Sequence, residues 1–204
     1  GLSSVFKPFF VLCLLGVTVI SVRTPMGNEE RVRAEWIALP FFPTAGLCLL
    51  VSAHDFLAIF VALELVAISL YLLAAFHRTR AASLEAGMKL LVMGGLSTGF
   101  LVMGIAWLYA AAGSTEFSKI LVEQAGRPAT LPLLFAIGLI LTGLAFKVAA
   151  VPFHAWAPDV YEGAPTSTTA FLAVASKAAG FVLLVRIFGF GAFALDSVAV
   201  FYRP

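Results

Sequence analysis

The sequence predicts an all-α polytopic membrane protein, with about six helices long enough to cross a bilayer. Three observations predict it. Of its 204 residues, 61% are hydrophobic. Charged residues make up 12%, roughly half the share of a soluble protein. The apolar residues fall in long runs that approach the ~20 residues a membrane span needs. A net charge of +2 is too small to indicate nucleic acid, and no basic tract with interleaved aromatics is present. Cys13 and Cys48 both lie inside apolar runs, where a thiol acts as a small hydrophobe rather than a disulfide partner or metal ligand. The start GLSSVFKPFF has no initiator Met, charged n-region or small-residue cleavage site. It reads as an internal start, so the chain is expected to be a fragment.

Taken in order, the first span covers about 4–22. The polar stretch RTPMGNEERVRAE, residues 23–35, follows it. Span two covers about 36–51, with Pro40 and Pro43 in its first turns, where proline costs least. Residues 52–55 make a tight turn into span three, 56–76. The short segment HRTRAAS leads to span four, about 84–111. Within it Gly95 and Gly99 have GxxxG spacing, which reads as a site of close helix packing. A polar loop, 112–130, contains Pro128. Span five is about 131–151 and span six about 165–188. Lys and Arg are somewhat enriched in the 23–35 and 77–83 loops. That bias predicts a cytoplasmic location for them and the opposite side for 112–130.

Between spans five and six lies PFHAWAPDVYEGAP, residues 152–165. Its prolines remove backbone donors and break helices. Irregular backbone at membrane depth is tolerated only against protein or a wet cavity. Two readings are open, an interfacial loop with an aromatic belt and a broken helix whose free ends line an ion path.

Three charged residues fall inside the spans: Glu64, Lys147 and Lys177. A charge at the bilayer centre costs at least ~2.5–3.5 kcal/mol, and such residues usually mark ion or proton movement. Glu64 lies nine residues after Asp55, ~14 Å along its helix. It is either hydrogen-bonded to a neighbouring helix, or a proton carrier or the counter-ion of a lysine. Lys147 lies past the middle of span five, beside the Pro152 break, and could snorkel. Lys177 lies 12 residues into span six, too deep to snorkel easily, among Ala and Gly. Two buried lysines and one glutamate make a relay in which each charge state depends on its neighbours. Lys89 lies near the start of span four and is either interfacial or part of that relay. His154 borders the break, where it could relay protons near neutral pH or cap a helix end. No metal-ligand spacing, Ser-His-Asp order or glycine-rich phosphate loop occurs, so covalent catalysis is not expected.

The stretch FKVAAVPFHAWAPDVYEGAPTSTTAFLAVASKAAGFVLLVR, residues 146–186, resembles the antiporter-like N subunits of complex I, the proton-pumping NADH–quinone oxidoreductase. HDFLAIFVALELVAISLYLLAAF, residues 54–76, resembles the glutamate helix of that family, and SLEAGMKLLVMGGLSTGF, residues 83–100, its next helix. The related L and M subunits and the cation/proton antiporter subunits carry looser versions of the proline loop. The resemblance is weakest in residues 1–35.

The resemblance implies a set of roles. The acid of the family falls on Glu64, the lysine of its broken helix on Lys147 and its central lysine on Lys177. Lys89 and His154 match a further lysine and a histidine beside the break. Glu64 and Lys147 would form a switchable charge pair that drives a proton towards Lys177. Family members have about 14 helices built around two inverted repeats. Residues 35–190 would be one five-helix antiporter-like repeat with its broken helix near 147–160. Residues 1–34 would be an N-terminal helix with a cytoplasmic loop, and 191–204 the start of a C-terminal half. The implied location is a bacterial inner membrane, with neighbouring antiporter-like and small complex I subunits as partners. No cofactor is implied in this chain: quinone, NADH, FMN and iron–sulfur clusters would belong to partner subunits. Two other functions remain open, a cation/proton antiporter subunit of the same fold and a structural membrane scaffold.

Overall fold

A computed structural model describes residues 2–24, 30–124 and 130–187. The expected start of a C-terminal half, 191–204, lies outside the described residues. The elements in order are α1 (Leu2–Arg23), α2 (Glu30–Ala38), α3 (Phe41–Leu50), α4 (Phe56–Ala74), α5 (Ala81–Ala112), α6 (Phe117–Gln124), α7 (Leu131–Val148), α8 (Trp156–Gly163), α9 (Thr166–Phe171), a π turn (Leu172–Ser176) and α10 (Lys177–Ile187). Among the described residues, five continuous helical segments are long and apolar enough to cross a membrane: α1, α4, α5, α7 and the run from α9 to α10. Their large apolar side chains lie on outward as well as inward faces. Leu12, Val61 and Val92 are all more than half exposed, as expected of helices with a lipid-facing side.

The second expected span is broken. Pro40 has no N–H to give to Trp36, and its ring crowds that carbonyl, so α2 ends at Ala38 and α3 restarts at Phe41. Ten residues of α3 rise only ~15 Å. The segment nevertheless runs from one end of the bundle to the other. Trp36 packs on Phe76, with ring centroids 4.7 Å apart, at the end where α4 stops. Val51 lies at the end where α4 starts.

That starting end is pinned by the backbone. The Phe56 N–H donates to the Thr115 carbonyl at 3.0 Å, and the Phe117 N–H to the His54 carbonyl at 3.2 Å. Asp55 caps α4 by accepting the Ala58 N–H at 2.8 Å, and Phe56 packs edge-on against Phe117. Arg186, near the end of the last span, is buried in α10 at this same end. It donates from Nη1 to the carbonyls of Leu50 (3.3 Å) and Val51 (2.6 Å), capping the last turn of α3.

The expected packing pair on α5, Gly95 and Gly99, meets nothing: a Cβ at either would find open space. Both lie on the outward side of the helix. The close approaches use other glycines of the same helix. Gly87 abuts Ala75, Gly94 abuts the Tyr71 ring, and Gly104 abuts Ile140. The seam between α5 and α7 is the most extensive in the bundle.

Candidate functional site

Glu64 sits mid-way along α4, half-buried. Thr98 of α5 donates its hydroxyl to Glu64 Oε1 at 2.6 Å, so the carboxylate is bound to a neighbouring helix. Among the described residues, no nitrogen–oxygen contact within 4.0 Å joins Glu64 to Lys147. The two side chains are not paired in this structure.

Lys147 is the penultimate residue of α7, in the turn where the positive end of a side chain is favoured by the helix dipole. The helix stops there because Ala149 turns left-handed, with φ 55°. The Ala149 and Ala150 N–H groups fold back onto the carbonyls of Phe146 (3.1 Å) and Ala145 (2.9 Å), which satisfies the helix end. The Val151–Pro152 peptide is cis. Phe153 closes over Phe146, with ring centroids 4.4 Å apart. The helix is broken here, with α7 ending at Val148 and helical backbone resuming at Trp156.

α8, the short arm beyond the break, is held on three sides. The Trp156 indole N–H donates to the Phe146 carbonyl at 3.3 Å. Gly163 lets α8 approach the Ala82 carbonyl of α5 more closely than a Cβ would allow. Lys89 of α5 pairs with Asp159 at 2.5 Å and with Glu85, one turn earlier on its own helix, at 2.6 Å. Lys89 thus docks α8 and stands apart from the buried groups. His154 is exposed within the break. Its carbonyl accepts the Ala157 N–H at 3.0 Å and so helps start α8.

Lys177 is the first residue of α10, directly after the π turn. Its Nζ is buried and has no hydrogen-bond partner among the described residues. It lies instead over aromatic faces, 4.8 Å from the centroid of Trp156 and 5.9 Å from that of Tyr161. An ammonium within about 6 Å of such a ring is attracted by the ring quadrupole.

Lys147 lines an internal cavity with Tyr71, Ser97, Trp156 and Ser176. Its volume is about 50 Å³, room for about three waters. The Tyr71 hydroxyl is buried without a hydrogen-bond partner among the described residues, the kind of group a buried water satisfies. Of the three, Lys147 alone lines this mostly apolar cavity; the Lys177 ammonium lies against Trp156, one of its walls, and Glu64 is bound to Thr98, the neighbour of its lining residue Ser97. Lys89 and His154 do not line it.

Sequence reasoning missed Thr98, Trp156 and the π turn. Thr98 stands 34 positions from Glu64 and carries no local signal. Trp156 reads from sequence as one more aromatic of an interfacial loop. The run TAFLAVASK contains no Gly or Pro to announce a π turn.

Residues 53–202 match the protein family described as NADH:quinone oxidoreductase/Mrp antiporter, TM. Among curated proteins, the chain is 46% identical over 184 residues to NADH-quinone oxidoreductase subunit N of Trichlorobacter lovleyi, covering 89% of this chain and 38% of that protein. It is 48% identical over 175 residues to subunit N 1 of Acidiphilium cryptum, covering 85% and 36%. Its fold is similar to a chain of respiratory complex I from Thermus thermophilus with bound aureothin, with TM-score 0.71 and 35% identity, over 89% of this chain and 39% of that one. It is also similar to a chain of the membrane-bound sulfane sulfur reductase, an archaeal respiratory membrane complex, with TM-score 0.79 and 25% identity, over 96% and 40%. The chain thus spans less than two-fifths of the length of these curated relatives.

Proposed function

Because the chain belongs to the NADH:quinone oxidoreductase/Mrp antiporter transmembrane family, we propose that it forms part of a proton-translocating membrane subunit of an NADH–quinone oxidoreductase of the complex I type, in a bacterial inner membrane. One observation carries the reading. Lys147, at the end of the broken helix, lines a cavity large enough for water; one wall of it, Trp156, holds the Lys177 ammonium, and Glu64 is bound to Thr98, next to its lining residue Ser97. Charges placed so deep are retained at a cost.

In this reading Glu64 and Lys147 are the switchable pair. Thr98 holds the carboxylate while the pair is open, and movement at the break brings the Lys147 ammonium towards it or away. Closing the pair neutralises Lys147 electrostatically and so changes the affinity of Lys177 for its proton, because the sites titrate as a coupled set. A proton then passes through cavity water rather than through a continuous chain of side chains. The redox groups (NADH, FMN, iron–sulfur clusters and quinone) belong to partner subunits, and this chain handles protons alone. Residues 35–190 act as one antiporter-like repeat against neighbouring antiporter-like and small subunits.

A cation/proton antiporter subunit is the second reading, since the family description includes the Mrp antiporters. The run PDVYEGAP and the similarity to proteins named subunit N favour the first. The decisive experiment is Lys177→Met in the intact complex, with quinone reduction and proton pumping measured together. We expect pumping to be lost from a normally assembled complex. Unchanged pumping with normal assembly would overturn the relay.

A further inference from the structure

Trp156 links the helix break, the Lys147 cavity and Lys177. Its ring lies under the Lys177 ammonium at 4.8 Å. The same side chain forms a wall of the cavity that Lys147 lines. Its indole N–H is bound to the carbonyl of Phe146, the residue before Lys147. The ring stands edge-on to Tyr161, at 6.5 Å and 88°. Trp156 is 8% exposed, so its orientation is fixed by these contacts rather than by solvent.

The position of Lys177 makes this arrangement consequential. An ammonium carries three donors, and a buried one normally spends them on oxygen acceptors. Here Nζ has no such acceptor among the described residues, and the aromatic face is what remains to hold it. Ser176, the neighbour of Lys177, lines the same cavity as that ring. Lys177 does not itself line that cavity, so the ring borders both the ammonium and the cavity. Because its tether is Phe146, any rearrangement of the break that shifts the last turn of α7 also shifts the ring.

We propose that Trp156 is a positioning residue: its ring face holds the Lys177 ammonium outside the Lys147 cavity, and its indole N–H ties that wall to the helix break. Movement of Lys147 is thereby converted into access of water to Lys177. The inference rests on the proton-relay reading given above and deepens it.

The test uses the full-length subunit in the assembled complex, with pumping normalised to the amount of complex on a native gel. Trp156→Phe keeps an aromatic face and loses the indole N–H. Trp156→Met and Trp156→Leu keep apolar bulk and lose the face. We expect the Phe variant, with a face but no tether, to pump two- to threefold more slowly than the wild type, and the Met and Leu variants, which lose both face and tether, to fall at least fivefold, all in assembled complexes. Pumping by the Met variant equal to the wild type would overturn the inference, as would a Phe variant as slow as the Met one. Failure of both Met and Leu to assemble while Phe assembles would make Trp156 a packing residue and overturn it too. Normal pumping by Lys177→Met alone would instead sink the relay reading, so the two failures are distinguishable.

Discussion

α7 carries two glycines that should respond oppositely to the same substitution. Gly143 faces α5. A Cβ there would lie 2.9 Å from the Ser97 carbonyl oxygen, 3.0 Å from Leu101 Cβ and 3.1 Å from the Leu101 amide nitrogen. Two of these three atoms are backbone, so no rotamer change relieves them, and α7 itself has to move by a few tenths of an ångström. The displacement also stretches the 2.8 Å bond from the Ser97 hydroxyl to the Gly143 carbonyl; interhelical hydrogen bonds in membranes average about 0.6 kcal/mol. Overpacking of this kind typically costs about 1–3 kcal/mol, against a gain of about 0.5–1 kcal/mol from replacing Gly by Ala in a helix. Gly143→Ala should therefore destabilise by about 1–2 kcal/mol net. Gly138, on the outward face of the same helix, has nothing within 4 Å of a Cβ, and Gly138→Ala should be neutral or gain up to about 1 kcal/mol. The assay is the fraction of complex surviving a graded heat challenge, with pumping measured on the survivors. Because Lys147 lies one turn beyond Gly143, the Gly143→Ala complex should also pump more slowly. Equal heat resistance of the two variants would refute the seam argument.

Arg186→Leu removes both bonds to the Leu50 and Val51 carbonyls and leaves those acceptors without their cation, at a cost of about 3 kcal/mol. Its complex should disassemble at markedly lower temperature, with partial rescue by Arg186→Lys, and wild-type heat resistance would contradict the capping role. His77, in the loop between α4 and α5, has its pKa lowered by burial and by the charge of Arg80. The unfolded chain thus binds a proton that the folded chain resists, so stability should rise with pH up to about 6.5 and fall below it. His77→Gln should flatten that slope in a pH series of the heat challenge, and an unaltered slope would remove His77 from the account.

The spans were legible because hydropathy and length are properties of a contiguous run, and a bilayer reads them in the same way. α4 and α5 start and stop close to where composition put them. The break after Lys147 was legible for a related reason: prolines act locally on the backbone. What the sequence could not show depends on which face meets which neighbour. GxxxG spacing singled out Gly95 and Gly99, but spacing is silent on orientation, and the close approaches use Gly87 and Gly94 against the α4 side and Gly104 against α7 instead. The hydrogen bond from Thr98 to Glu64 and the cap from Arg186 to α3 join residues 34 and 135–136 positions apart. Nothing local records either. The expected second span is two short helices rather than one, because Pro40 splits the turn in which proline should cost least.

The π turn sets the rotational phase of the last span. Thr168 and Lys177 are nine positions apart, and nine steps of about 100° place two side chains on opposite faces of an uninterrupted α-helix. Thr168 meets α4 through the Leu73 carbonyl, so an unbroken helix would aim the lysine away from the core. The wider ring at Leu172–Ser176 takes up one extra residue and returns about 100° of that rotation. The two ends of the span are thereby clocked independently: the first turn stays keyed to α4, and the ammonium swings round to meet α8.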